Sequence, residues 1–485
     1  MENIIKVKKH NNIYYALDAE KSICYELMNH FTYEVPGAKF TPAYKARIWD
    51  GKIRLFSPSN CLLYIGLHEE LNAFCKKRNY ILQYDDDIKH DFEFSEYECN
   101  NFIKSLQCKY QPRDYQIQTF IHALRKRRAL ILSPTSSGKS LMIYLITRFL
   151  NKKTIIIVPT TSLVHQMFDD FVDYGMNPSN IHKILQGHEK NTDKQIVIST
   201  WQSIYKLPKQ WFKDFEVVIG DEAHLFKAKS LVKIMTNLVN CEYRYGFTGT
   251  LDGTETNKLV LQGLFGPVKQ FISTNELIEK KYLSEFSIKI LLLKHPKEIR
   301  KTYSSVDYQT EIDFIVRNKH RNKFIKNLAL SLKNNTLLLF QYVDKHGKVL
   351  YDEIVKDAID KQVFLIYGNV PGDIRNDIRE KIESINNALI IASYGTFSAG
   401  VNIKNLSNII FASPSKSRIR NLQSIGRGLR ISNTKNKAIL YDIGDNLCYG
   451  KLKNHTYNHL QERIKLYTQE KFPFKTYEIE LDYTL

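Results

Sequence analysis

The sequence predicts an α/β protein: two tandem parallel-sheet domains preceded by a small α+β domain. Three observations predict it. Short apolar runs alternate with helical patterns in two series, one over about 129–250 and one over about 336–441. Such alternation marks a parallel sheet covered by helices. The first series opens on a strand, a small-residue loop and a helix: the run 129–132, then Ser133, Pro134, Thr135, Ser136, Ser137, Gly138, Lys139 and Ser140, then the apolar run 141–146. Residues 1–95 differ from both series, with shorter alternating runs separated by turn signals at Pro36-Gly37 and at 57–60.

The length of 485 residues suits three or four domains, and 43% hydrophobic residues supply several cores. No apolar run nears the roughly 18 residues of a membrane span. The N-terminus lacks the apolar core of a signal peptide. A soluble cytoplasmic protein without a membrane partner is expected. Lys+Arg 70 against Asp+Glu 51 gives a formal charge of +19. That excess suggests a polyanionic partner, nucleic acid being the usual one, with a generic lysine-rich surface as the alternative. The 7 cysteines contain no CxxC pair and the 14 histidines no HExxH pattern. A zinc site or disulfide framework is therefore not expected.

In the front domain, Lys45, Arg47, Lys52 and Arg54 interleave with Tyr44 and Trp49. Basic groups track a phosphate backbone and aromatic faces stack bases. The plainer reading places Trp49 and Phe40 in the core and makes Asp50-Gly51 a hairpin turn. Strand alternation through 40–54 lets both hold, with basic residues on one face and apolar ones on the other. The acidic stretch 84–99 reads as a boundary or solvated face, since nothing near it supplies a metal cage.

The loop 133–140 has the make-up of a P-loop. Loop N–H groups and a helix N-terminus point at phosphate oxygens. Gly138 allows close backbone approach, Lys139 adds a full charge and the Ser140 hydroxyl can ligate Mg²⁺. Ser133 departs from the pattern, standing where a glycine is usual. Further on, the run 216–220 ends in Asp221, Glu222, Ala223 and His224. One carboxylate can hold a metal and its neighbour can orient and deprotonate water. The runs 154–158 and 195–198 each end in a hydroxyl-rich loop, with Pro159, Thr160 and Thr161 in one and Thr200, Trp201 and Gln202 in the other. Each loop alone reads equally well as a helix cap.

Residues 251–335 are less legible: a strand near 283–293 and a basic helical stretch 303–332, with a domain boundary nearby. The second series has strand-like runs at 336–340, 363–367, 388–392, 408–412 and 437–441, with a helical pattern at 371–385 and no P-loop. Gln423, Arg427 and Arg430 stand at i, i+4 and i+7, one face of a helix, so both guanidiniums can aim at one anion. The tail reads as a helix and a final strand. The expected domains are 1–95, 96–285, 286–445 and 446–485.

Together the motifs spread over 110–445 resemble those of superfamily 2 helicases. The resemblance implies RecA-like motor domains that use ATP and Mg²⁺. By it, Gln116 reads the adenine and Arg113 or Tyr115 flanks it. Thr135, Ser136, Ser137, Gly138, Lys139 and Ser140 hold the phosphates, Ser140 and Asp221 hold the metal, and Glu222 activates water. His224 couples this site to Thr248, Gly249 and Thr250. Pro159–Thr161, 200–202 and Ser393, Tyr394, Gly395 and Thr396 grip nucleic acid. Gly400 and Gln423 reach the nucleotide cleft, and Arg427 and Arg430 complete catalysis. With 134–140, 158–161, 392–395, 397–398 and the front-end 49–54, the chain is similar to the phage UvsW-type helicases. That likeness implies remodelling of branched DNA (forks, four-way junctions, R-loops) in recombination, repair and replication. It also implies binding to single-stranded and duplex DNA, to RNA within hybrids, and action as a monomer. An RNA helicase, the motor of a restriction-type complex and a non-catalytic annealing protein are the alternatives.

Overall fold

The structure, a computed structural model, describes every residue except 1, 2, 107, 186, 188, 369, 399–402, 404, 416, 430–436 and 485. The chain divides into two compact units: Met1–Ser133 with Gly138–Phe271, and Ile272–Leu485 with Pro134–Ser137.

The first unit holds two sheets joined by one core. The N-terminal sheet runs Phe56–Ser57, Leu62–Tyr64, Tyr14–Asp18, Ile4–Lys9, Ile81–Tyr84. It is antiparallel except where Ile4–Lys9 meets Ile81–Tyr84 in parallel. Its alternating burial leaves one face for the helices Lys21–His30 and His68–Arg78. The larger sheet has seven parallel strands in the order Ile181–Ile184, Ile196–Thr200, Thr154–Val158, Val217–Asp221, Tyr243–Thr248, Arg128–Leu132, Val268–Gln270. Thr154–Val158 is buried throughout, as a strand covered on both faces must be, which is why it reads as an unbroken apolar run.

The two sheets of this unit are not separate bodies. Ile5, Val7, Leu63 and Leu67 belong to one continuous core with Val218, Leu261 and Phe265. At Gly66 a Cβ would stand 2.0 Å from the Gln262 carbonyl oxygen, so the turn Ile65–Leu67 lies directly on the helix Glu255–Phe265. Arg244 crosses the same core fully buried, donating to the carbonyls of Leu264, Leu238 and Met235 at 3.0, 3.1 and 2.6 Å. Three carbonyls replace the water its charge has lost.

The second unit contains a parallel sheet ordered Gln362–Ile366, Ala388–Ser393, Thr336–Phe340, Asn408–Phe411, Lys437–Asn446, Glu285–Lys294, Phe474–Glu480. The final strand pairs with Glu285–Lys294, closing one edge. The helix His455–Gln469 is fixed by two buried contacts. Glu311 accepts from the N–H groups of His455 and Thr456 at 2.7 and 2.8 Å, capping the helix from a distance. Arg463 meets Asp442 in a buried pair, Nη2 to Oδ1 at 2.8 Å. The basic stretch 303–332 is helical in two pieces, Tyr308–Arg317 and Lys319–Ser331, because the Asn318 side chain caps the second.

One expectation fails outright. Residues 40–54 are not an alternating strand. Ala38–Phe40 is a 3₁₀ turn, Pro42–Lys45 a short helix, and only Lys52–Arg54 is extended, paired with Thr32–Glu34. Pro42 at the first helical position and the Thr41 cap set the helix. Phe40, read as core, is 78% exposed.

Candidate active site

The strand Arg128–Leu132 leads into the loop 133–138, and the helix Lys139–Leu150 leaves it. Ser136 and Gly138 have φ of 68° and 79°. Gly138 is required by its φ; a Cβ there would stand 2.5 Å from Gln116 Nε2, the end of a side chain that can swing aside. Ser133 is absent from the left-handed residues, so the position where a glycine is usual does not demand one here. Its N–H donates to the Thr248 carbonyl at 2.9 Å.

Gln116 reaches this loop from the helix Asp114–Lys126, its Nε2 3.5 Å from the Gly138 carbonyl and its Oε1 accepting from Arg113 N at 2.8 Å. Arg113 Nη1 donates to the Tyr115 hydroxyl at 3.2 Å. Lys139 Nζ donates to the Ser133 carbonyl at 3.4 Å, folded over the loop. The Ser140 hydroxyl lies 2.9 Å from the Tyr174 hydroxyl, a partner that nothing in the motif pattern indicates.

Beside the loop, Val217–Asp221 ends in the carboxylate pair. Asp221 is 8% exposed. Burial, and then the neighbouring Glu222, push its carboxyl up to about 6, while Lys139 pulls it down. Lys139 and Asp221 therefore share one electrostatic environment. Glu222 sits at φ 52° and ψ 50°, a costly conformation for a side-chain-bearing residue of the kind found at functional sites. His224 follows, its Nδ1 2.9 Å from Thr248 Oγ1 and 3.4 Å from Glu222 Oε2. The Thr248 hydroxyl donates to the Thr250 carbonyl at 3.0 Å. Having spent its hydrogen there, it accepts from His224, which assigns the imidazole proton to Nδ1. Gly249 is half-buried between them, and Thr250 Oγ1 is buried without a hydrogen-bond partner.

The donors suit magnesium. A buried carboxylate whose charge is disfavoured gains from an added cation. Among the described residues no group of three His, Cys, Asp or Glu could hold a metal. Mg²⁺ takes one or two carboxylates and completes its shell with phosphate oxygens and water, so a single buried carboxylate such as Asp221 suffices from the acidic side chains.

Comparison with known proteins agrees with this geometry. Residues 4–85 match the family "DNA helicase UvsW, N-terminal", 109–253 "Type III restriction enzyme, res subunit", and 319–432 "Helicase conserved C-terminal domain". The ATP-dependent DNA helicase UvsW of Enterobacteria phage T4 is 34% identical over 97% of this chain and 98% of its own. The chain belongs to the UvsW family of superfamily 2 helicases. The crystal structure of T4 UvsW covers 99% of this chain at 32% identity with a TM-score of 0.53. The DNA 3'-5' translocase XPB2 of Sulfurisphaera tokodaii is 27% identical over 47% of this chain and 48% of its own. The two RecA-like domains and the small N-terminal α+β domain expected from sequence are those of this family.

The residues expected to grip nucleic acid fare unevenly in this UvsW-family chain. Thr160 caps the helix Thr161–Asp173, its hydroxyl accepting from Leu163 N, and Pro159 is half-buried. Thr200 is 4% exposed and bonds the Ser203 hydroxyl at 3.0 Å; Trp201 is half-buried against the core, and Gln202 is exposed. Ser393 and Thr396 are buried and bond each other at 2.8 Å; Gly395 is exposed. Tyr394 is a correction: it is 1% exposed and its hydroxyl donates to the Ser413 carbonyl at 3.2 Å, so it packs the core and presents no face to a base. In the N-terminal domain Lys45 and Arg47 are exposed, Lys52 is half-buried, and Arg54 is paired with Asp50. Trp49 is half-buried, with Nε1 donating to the Lys52 carbonyl at 2.8 Å. Gly400 and Arg430 lie outside the described residues. Gln423 and Arg427 fall within the helix Arg418–Gly428, with side chains outside the description.

Tyr174 and Ile48 are residues that sequence reasoning passed over. For Ile48 a signal existed. Phe40, Tyr44 and Ile48 recur every four residues between two Gly turns, in a segment too short to bury them.

Proposed function

We propose that this chain is an ATP-dependent DNA helicase that unwinds or branch-migrates forks, four-way junctions and R-loops. The observation that carries the reading is the placement of Lys139, Asp221 and Glu222 at the C-terminal edge of one parallel sheet, in a chain related to T4 UvsW along nearly its whole length. Ligands of open α/β sheets bind at that edge.

In this reading the 135–140 loop and Gln116 bind and orient ATP, with Arg113 beside the base. Lys139 neutralises phosphate charge. Magnesium, when bound at Ser140 and Asp221, screens the phosphates. Glu222 orients the attacking water and takes its proton. His224, held by Thr248, passes a change at Glu222 to residues 248–250. Arg427 and Arg430 are proposed as the arginines that stabilise the transferred phosphoryl group, with Gln423 and Gly400 near the nucleotide. Pro159, Thr160, Thr161, Gln202 and Gly395 are the proposed backbone contacts to DNA. The functional division proposed is 1–95, 96–285, 286–445 and 446–485.

The test is phosphate release from ATP, titrated against single-stranded, duplex, forked and four-way DNA with RNA controls. Forked and four-way DNA are expected to stimulate most. Stimulation by RNA alone would overturn the reading. Lys139→Ala and Glu222→Gln are expected to abolish turnover with DNA binding retained. Arg427→Ala is expected to lower turnover by about 10³-fold or more while sparing ATP binding; normal turnover in that variant would remove Arg427 from catalysis.

A further inference from the structure

The hairpin of Thr32–Glu34 and Lys52–Arg54 does not end in a tight turn. Residues 35–51 wind into a knot. The Thr41 side chain accepts from Tyr44 N, and the N–H groups of Ile48 and Trp49 both donate to the Ala43 carbonyl, at 3.0 and 3.2 Å. Gly51, at φ 79°, closes the knot: a Cβ there would stand 3.0 Å from Ala38 Cβ and 3.1 Å from the Tyr44 ring. The Trp49 indole ties the return to Lys52. The knot thus has a defined shape, held by its own backbone.

What it shows to solvent is unusual. Phe40 is 78%, Ile48 83% and Tyr44 41% exposed. Lys39, Lys45 and Arg47 are exposed among them. Over 35–54 there are five basic residues and one acidic residue, Asp50, which is already paired with Arg54. Single exposed apolar residues are ordinary; three between positions 40 and 48 of one internally bonded segment that also carries exposed basic residues are not. The partner must offer flat apolar faces edged by negative charge. A base pair at the end of a duplex arm is such a surface, with stacking faces open and phosphates on either side.

We propose that this knot is a junction wedge: Phe40 and Ile48 pack against the exposed base pair where a duplex opens, and Lys39, Lys45 and Arg47 hold the flanking phosphates. The proposal rests on the DNA reading above and moves the stacking role from Trp49, whose ring N–H is used internally, to Phe40. The fork is then strained at the first pair before any ATP is spent.

The experiment uses the full chain and a forked DNA with 2-aminopurine in the last base pair before the fork. Binding without ATP is expected to raise its fluorescence. Phe40→Ala/Ile48→Ala is expected to abolish that rise and to slow ATP-driven fork opening about tenfold, the size expected for losing one stacked base. Both residues are exposed, so the thermal melt should be unchanged. Ile359→Ala, which removes a 93% exposed side chain of the second unit, is expected to change neither signal. Lys45→Ala/Arg47→Ala is expected to weaken fork binding and to lower the salt slope by about 1–2. A full fluorescence rise in the double apolar variant overturns the wedge. So does loss of binding to phosphatidylserine vesicles with the fork signal intact, which would assign the patch to lipid. The fluorescence needs no ATP, so a chain without ATP-driven unwinding would sink the helicase reading and still leave the wedge to be judged.

Discussion

The His224 imidazole lies 2.9 Å from the Thr248 hydroxyl and joins the loop after one strand to the end of its neighbour. Glu222 is 3.4 Å from the same imidazole, and the Thr248 carbonyl holds the first N–H of the phosphate loop. His224 and the Ser133 N–H are thus tied to Thr248 directly, and Glu222 through the imidazole. Removing the link should leave the hydrolytic groups in place and cut their connection to DNA movement. In His224→Ala or Thr248→Val, base pairs opened per ATP are expected to fall roughly 2- to 30-fold, the range of a typical coupling energy. Parallel phosphate-release and strand-displacement assays measure it; an unchanged ratio would show that the link does not couple.

The Ser133 position makes a contrast with Gly138. Ser133 needs no left-handed backbone, whereas Gly138 has φ 79° and Gln116 packed against it. Ser133→Gly is expected to leave the KM for ATP within about threefold and to cost about 0.5–1 kcal/mol of stability through chain entropy. Gly138→Ala is expected to abolish ATP binding. Steady-state kinetics with an unfolding titration separates the two outcomes.

Gly66 tests whether the N-terminal sheet and the first motor sheet unfold together. A Cβ at Gly66 would collide with the backbone oxygens of Gln262 and Gly263. Gly66→Ala is expected to destabilise the first unit by about 1–3 kcal/mol, in the manner of an overpacked core. Denaturant unfolding followed by Trp49 and Trp201 fluorescence should shift in one transition. Two separated transitions would show that the sheets are independent.

The stacked rings of His68 and His90, 4.2 Å apart, give the same unit a pH dependence. Burial pushes each down to about 4, helped by Lys126 and Arg128 and opposed by Asp91; His68 further lowers His90. Both are neutral when folded and take up a proton near 6.5 when unfolded. Between those values the unfolded chain binds more protons, so stability falls as pH drops from about 6.5 to about 4. The denaturation midpoint is expected to be lower at pH 5 than at pH 7, and His68→Phe/His90→Phe should flatten the difference.

Much of the candidate site's layout was legible because each piece is local. Asp221, Glu222 and His224 end or follow the strand Val217–Asp221, and Lys139 opens the helix after the loop that follows Arg128–Leu132. The nucleic-acid residues were harder. Tyr394 occupies a motif position, yet a tyrosine that fills a core carries the same letter as one that faces a ligand. Residues 40–54 misled because basic and apolar residues interleave both in a strand and in a wound loop.

The chain's own letters determined two parallel sheets, a phosphate loop, a carboxylate pair and a basic front end, since periodicity and short motifs follow from neighbours in sequence. Folding alone decided that Ser133 needs no glycine, that Ser140 meets Tyr174, and that Phe40 and Ile48 face water while Tyr394 does not. Those outcomes depend on which distant atoms arrive beside a side chain, and burial is a property of the packed whole.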